Sequence, residues 1–203
     1  MILDIPYNFH WVIPGDAARS AQAYAGFLGS FLNAHGIRTM MNLRGANPGR
    51  LWWRREISIC TREGVVHRDA KLNSRQLPTS AMLIELLDAF DSAPRPLLLK
   101  CSGGQDRTSF AAALYLVHRQ GWQVFEDAEK QFALWPYLHR PRQDQRWLKL
   151  FLAFGRDQAA ATPLRHWIER SYSQNEFRFW LEARGEQRSF HGLYDVPGSS
   201  DSR

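Results

Sequence analysis

Apolar and polar positions alternate in short blocks over the first 120 residues. Residues 9–13 form a run of strand type, closed by Pro14-Gly15. Between residues 21 and 35, Tyr24, Phe27, Leu28, Phe31 and Leu32 recur at the 3,4 spacing of one helix face, and Gly36 provides a stop. Residues 37–43 read as a buried strand, 44–49 as a loop, 51–62 as a helix and 65–70 as a further strand. A polar loop at 73–78 precedes Thr79 or Ser80, either able to cap a helix running to Asp91. Pro94 and Pro96 mark the turn before Leu97-Leu98-Leu99-Lys100, an apolar run of fully buried strand type. After a loop at 101–107, residues 108–120 read as a helix stopped by Gly121.

Strands separated by helical segments predict an α/β fold with a central, mostly parallel sheet flanked by helices. Beyond Gly121 the pattern is helical only, with candidates at 124–134, 142–154 and 164–183. The expected organisation is a core at 1–135, a C-terminal helical extension packed on it at 136–196, and a disordered tail at 197–203. That tail, rich in Gly and Ser, has little to bury.

Composition narrows the classes of function. The chain has 203 residues, 44% apolar and 23% charged, as in an ordinary globular protein. No stretch approaches the roughly 18 apolar residues of a membrane span. The first residues lack the basic and apolar regions of a secretory signal, so the expected location is the cytoplasm. Two cysteines, Cys60 and Cys101, make no disulfide framework, and neither they nor the seven scattered histidines have metal-site spacing. No cofactor or metal is expected.

The net charge is +6, and residues 36–76 carry nine basic against three acidic side chains, a difference equal to the whole surplus. Such a stretch is either a solvated basic face or a positive rim that steers an anionic substrate. No motif for nucleic acid accompanies it. Arg44 and Arg75 are candidates for the rim, with a surface position the plainer reading of each.

The chemistry concentrates in Cys101-Ser102-Gly103-Gly104-Gln105-Asp106-Arg107-Thr108. A cysteine ends a buried strand, two glycines follow in a tight loop, and an arginine opens a helix. Backbone N–H groups of Ser102, Gly103, Gly104, Gln105, Asp106 and Arg107, curling into a helix N-terminus, suit a phosphate dianion. Arg107 can grip two phosphate oxygens in a bidentate fork. The same positive field favours a nucleophilic thiolate at Cys101. The Thr108 hydroxyl is placed to assist the sulfur as a leaving group.

These residues resemble the cysteine phosphatase superfamily, whose loop reads C-x₅-R-[ST]. The form C-S-G-G-Q-D-R-T is most similar to the C-x-x-G-x-D-R-T loop of myotubularin lipid phosphatases and of bacterial tyrosine and phosphoinositide phosphatases. Arg19-Ser20-Ala21-Gln22 and the segment from Gly36 to Arg44 resemble the R-S-x-Q and G-I-x-x-h-h-N-L-R segments of atypical dual-specificity phosphatases, where h is apolar. The resemblance covers residues 8–135 and implies that fold and metal-free hydrolysis of a phosphomonoester. It departs at Lys100, where the superfamily usually has His, and at Gln105, where bacterial relatives often have Lys.

A leaving alkoxide or phenoxide needs a proton. Asp69, 32 residues before Cys101, is the positional candidate, and Asp106 is the in-loop candidate by resemblance; Asp106 is slightly favoured. Cys60 reads as a buried structural thiol, with a redox partner for Cys101 as the alternative. Residues 137–147 mix basic and aromatic side chains, as in a turn leading into an amphipathic helix or a surface for an anionic partner. The expected partner is a phosphorylated anion: a phosphoprotein, an inositol phosphate or a lipid headgroup. A phosphate-binding module without turnover and a rhodanese-like sulfurtransferase are the competing readings.

Overall fold

The computed structural model describes residues 4–23, 25–159 and 162–194; Tyr24 and the expected disordered tail lie outside them. Five strands form one sheet: β1 (His10–Ile13), β2 (Ala17–Ser20), β3 (Thr39–Asn42), β4 (Val66–Asp69) and β6 (Leu97–Lys100). Their order is β1-β2-β6-β3-β4. β1 joins β2 as an antiparallel hairpin, and β2, β6, β3 and β4 run parallel to one another. β6 thus occupies the centre, which explains why three consecutive leucines are buried on both faces.

Side-chain alternation along β6 divides the interior. Leu98 packs with Ala18, Met40, Ile59 and Cys60 under α1 (Ala25–Ala34) and α2 (Leu51–Arg62). Leu97, Leu99 and Cys101 face the opposite cluster, built on α3 (Ser80–Ser92) and α4 (Asp106–Gln120). α4 is buried at every position from Thr108 to Val117, because the sheet covers one side and other helices the rest. Thr79 caps α3 by accepting from the Met82 N–H at 3.1 Å.

Past α4 come α5 (Phe125–Lys130), α6 (Trp147–Ala159), α7 (Leu164–Arg170) and α8 (Gln174–Glu182). Trp147 and Phe151 of α6 each stack edge-on against Phe110 at 5.3 Å between ring centroids. Phe151, Phe177 and Leu181 are fully buried in the cluster that contains α3 and α4. Full burial of each is worth about 1.5–3 kcal/mol, so these helices share the core of the α/β unit.

The elements differ from the sequence pattern at several points: the helix expected at 142–154 begins only at Trp147, after a 3₁₀ turn over Gln143–Gln145, and the one expected to reach 134 ends at Lys130. Ala17–Ser20 is a strand that the pattern did not mark, because its third residue is arginine. α1 starts at Ala25 rather than at 21, and Phe27 of the expected apolar face is exposed. The single helix expected at 164–183 breaks, since Tyr172 turns inward and Ser173 restarts the chain as a cap, accepting from the Glu176 N–H. A two-stranded parallel pair, β5 (Gln76–Leu77) with β7 (Gly192–Leu193), ties the loop before α3 to the far end of the described chain.

Candidate active site

Cys101 follows β6 directly and is 3% exposed. The next residues bend sharply, and α4 begins at Asp106. Gly104 has φ +64°, and a Cβ there would lie 2.5 Å from the Ala21 nitrogen and 2.7 Å from the Ser20 carbonyl carbon. The loop is therefore pressed against the end of β2 so closely that only glycine fits. Among the described residues, no backbone N–H from Ser102 to Gln105 donates to a protein acceptor, which leaves these donors for an anion. Arg107 reaches back across the turn, its Nη2 donating to Ser102 Oγ at 3.3 Å. Thr108 is fully buried, and its hydroxyl has no hydrogen-bond partner.

Arg19 braces this loop from behind. It is fully buried, with Nη2 donating to the Gly104 carbonyl and to Ser109 Oγ, both at 2.9 Å. Nη1 donates to the Gln131 carbonyl and to its Oε1, again at 2.9 Å. The guanidinium lies 4.2 Å from the centroid of Tyr137. Burial pulls its pKa down to about 10, so it remains a cation at neutral pH. Asn8 Nδ2 adds a second donor to the Gly104 carbonyl at 3.3 Å. Sequence comparison alone marks Arg19 as part of a motif; its function as a brace becomes visible only in three dimensions.

Lys100, one residue before the cysteine, points to the other face of the sheet. Its Nζ sits 2.6 and 2.7 Å from the two carboxylate oxygens of Glu56 on α2. Burial lowers the Lys100 pKa, with Glu56 pulling it the other way. His67 Nε2 approaches the same carboxylate at 3.8 Å. Cys60 is buried on this face too, and burial together with Glu56 pushes its thiol up to about 12. The sheet separates it from Cys101, so the two sulfurs lie in different hydrophobic clusters and are not paired.

In front of the loop opens a cavity of about 620 Å³. Six of its twelve lining residues are cationic (Arg44, Lys71, Arg75, Arg107, Arg140 and Arg142), and Asp106 is the single acid. Arg44 and Arg75 thus belong to the cavity rather than to an unrelated surface. Arg44 stacks at 3.8 Å on Trp52 and donates to Gln22 Oε1 at 2.6 Å. Burial and the neighbouring Arg107 both lower its pKa. On its other side lies a second hollow of about 490 Å³, more apolar, with Leu51, Trp52, Arg55 and Ser102 in its walls. Arg140 and Arg142, from the segment read either as a turn into a helix or as a surface for an anionic partner, line the first cavity.

The two acid candidates are placed differently. Asp106 lines the cavity with Arg107; Gln145 Nε2 donates to its Oδ2 at 3.2 Å, and His139 Nε2 is 3.4 Å from its Oδ1. Asp69 lies at the end of β4, outside that lining. Its oxygens accept from Asn42 Nδ2 at 2.7 Å and from Trp53 Nε1 at 3.0 and 3.1 Å. Gln105, Asp106 and Arg107 of the turn line the cavity, whereas Cys101 and Thr108 lie buried behind it and Asp69 accepts from Trp53 and Asn42 outside it. Gln145, which donates to Asp106, and His139, which lies beside it, sit in the segment 137–147 that the sequence marks only for its mix of basic and aromatic residues. Among the described residues, no group of three or more His, Cys, Asp or Glu is arranged to hold a metal ion, and no helix is long and apolar enough to cross a membrane.

No protein-family profile and no curated protein matches the sequence. Solved structures match the fold. TpbA of P. aeruginosa aligns at a TM-score of 0.60 and 20% identity, over 81% of this chain and 92% of that one. PTPMT1 aligns at 0.55 and 16%, over 75% and 98%, and Tk-PTP in its active form at 0.51 and 16%, over 71% and 95%. TpbA has also been crystallised in complex with pTyr, and PTPMT1 in complex with PI(5)P. The chain therefore has the α/β fold of the atypical cysteine-dependent tyrosine phosphatases.

Proposed function

We propose that the protein is a phosphomonoester hydrolase that works through a cysteinyl-phosphate intermediate. The observation that carries this reading is the turn after β6. It keeps its backbone donors free, folds Arg107 back over itself, and ends a buried strand on a cysteine, inside a fold shared with proteins crystallised with pTyr and PI(5)P.

In this reading the Cys101 thiolate attacks phosphorus, an S–P bond forms, and the P–O bond to the leaving group breaks. The backbone N–H groups of the turn and the Arg107 guanidinium hold the three equatorial oxygens, where charge is spread in the transition state. Asp106 gives its proton to the departing oxygen. Water then attacks phosphorus and yields a proton to the Asp106 carboxylate, the S–P bond breaks, and inorganic phosphate and the thiolate are regenerated. Asp106 is preferred to Asp69 because it shares the cavity with Arg107, whereas both oxygens of Asp69 already accept hydrogen bonds from Trp53. Substrates in this reading are phosphotyrosine, phosphoserine or phosphothreonine in proteins, or an inositol phosphate or phosphoinositide.

Phosphate release from para-nitrophenyl phosphate without added metal tests the proposal. Turnover by the parent and none by Cys101→Ser is the expected result; binding of phosphate without turnover by the parent would overturn it. For the acid, Asp106→Asn should slow esters of high leaving-group pKa more than those of low pKa. Equal slowing across the series removes Asp106 from that role.

A further inference from the structure

The cavity holds more positive charge than one phosphate needs. A single phosphoryl group is already met by the free N–H groups of the turn and by Arg107. Apart from Arg44, which stacks on Trp52, Lys71, Arg75, Arg140 and Arg142 remain on the walls, drawn from two segments far apart in the chain. Among the described residues, no carboxylate forms an ion pair with Lys71, Arg140 or Arg142. Arg75 is the exception, with Nε 3.2 Å from Asp144. Like charges gathered on one concave surface repel, and the arrangement becomes favourable when an anion lies between them.

The walls also lack what a phenyl ring needs. Leu72 is the only apolar residue among the twelve that line the cavity. A ring sandwiched here would lose water contact without gaining apolar burial. A second phosphate on the same molecule would instead meet donors on two sides.

We infer that Lys71, Arg75, Arg140 and Arg142 form a second anion subsite, so that the preferred substrate is a small phosphorylated ring or headgroup carrying at least two phosphates. This inference rests on the phosphatase reading for the fate of the first phosphate, but the subsite itself is a binding property. The ligand chemistry is shared by free inositol polyphosphates and by phosphoinositide headgroups.

The test separates binding from turnover by using Cys101→Ser. Calorimetric titration compares an inositol bisphosphate bearing adjacent phosphates with the corresponding monophosphate. The bisphosphate should bind at least about tenfold tighter, and in Arg140→Gln/Arg142→Gln the ratio of the two affinities should fall by about tenfold. The expectation is no larger because both guanidinia are solvent-exposed and screened. Lys71→Gln, on the other segment, should lower the same ratio. Equal loss of affinity for both probes would show only a general positive field and overturn the subsite, as would an unchanged ratio. A parent protein that binds the bisphosphate selectively but hydrolyses neither probe would sink the phosphatase reading and leave the subsite standing. With active protein, faster release from the soluble bisphosphate or from vesicles carrying the same headgroup identifies the source of the substrate.

Discussion

Replacing Glu56 by leucine isolates the buried ion pair beside Cys101. Lys100 and Glu56 have side chains 1% and 4% exposed, joined by two bonds of 2.6 and 2.7 Å. Removing one partner strands the other charge in the interior, which costs about 3–5 kcal/mol, whereas replacing both by apolar residues is often neutral. For a chain of this length about 2–4 °C of Tm accompanies each kcal/mol, so Glu56→Leu should melt roughly 6–20 °C lower. Lys100→Met/Glu56→Leu should recover most of that loss.

The pH dependence gives an independent check. Burial already holds the Lys100 pKa below its ordinary 10.5, and Glu56 pulls it upward. Without Glu56 the folded-state value falls further. Between that value and 10.5 the unfolded chain binds more protons than the folded one, so the stability of Glu56→Leu rises with pH across this window. Urea titrations of the parent, both single variants and the double variant at a series of pH values measure all of this. A loss under ~1 kcal/mol in Glu56→Leu, or a double variant no more stable than that single, would refute the reasoning. The pair carries no net charge, so the double variant should also lose far less turnover than Cys101→Ser.

Three further outcomes follow from the loop and its supports. Gly104→Ala must place a Cβ 2.5 Å from backbone at φ +64°, which costs at least about 1–2 kcal/mol and displaces the turn; kinetics on an aryl phosphate should show a collapse of kcat/KM, and parent-like values would contradict the close approach. Arg19→Met strips donors from the buried Gly104 and Gln131 carbonyls, so denaturant titration should register a loss of at least ~2 kcal/mol together with reduced kcat/KM. Cys60, with its thiol pushed up to about 12, should resist iodoacetamide at pH 8 in the folded protein, so mass spectrometry should find alkylation confined to Cys101 and blocked by phosphate. Labelling at Cys60 before unfolding would count against its burial.

The candidate loop was legible because its residues are contiguous: eight neighbours carry the cysteine, the glycine turn and the arginine. The strand before it was legible because three leucines in succession suit a sheet centre. What surrounds the loop was not. Arg19 reaches Gly104 across 85 positions and Lys100 reaches Glu56 across 44, and no period along the chain encodes either pairing. A charged residue inside β2 hides that strand, since its partners are oxygens rather than apolar neighbours. Tyr172 breaks a helical pattern because its hydroxyl donates to the Pro78 carbonyl at 2.6 Å, a tertiary contact that overrides local propensity. The sequence left Arg140 and Arg142 between a turn and a surface for an anionic partner, because only the fold carries their segment round to the cavity.

The short parallel pair of β5 and β7 has an engineering consequence. His191 N–H donates to the Arg75 carbonyl at 2.7 Å, and Trp147 Nε1 donates to that of Ser74 at 2.9 Å, so the wall bearing Arg75 hangs from residues more than 70 positions downstream. Trimming the chain ahead of Gly192 would spare the nucleophile and its turn yet unfasten one side of the cleft. A version that ends just before this pair, with α6–α8 kept, should therefore hold its turnover of a small aryl phosphate and lose discrimination among substrates.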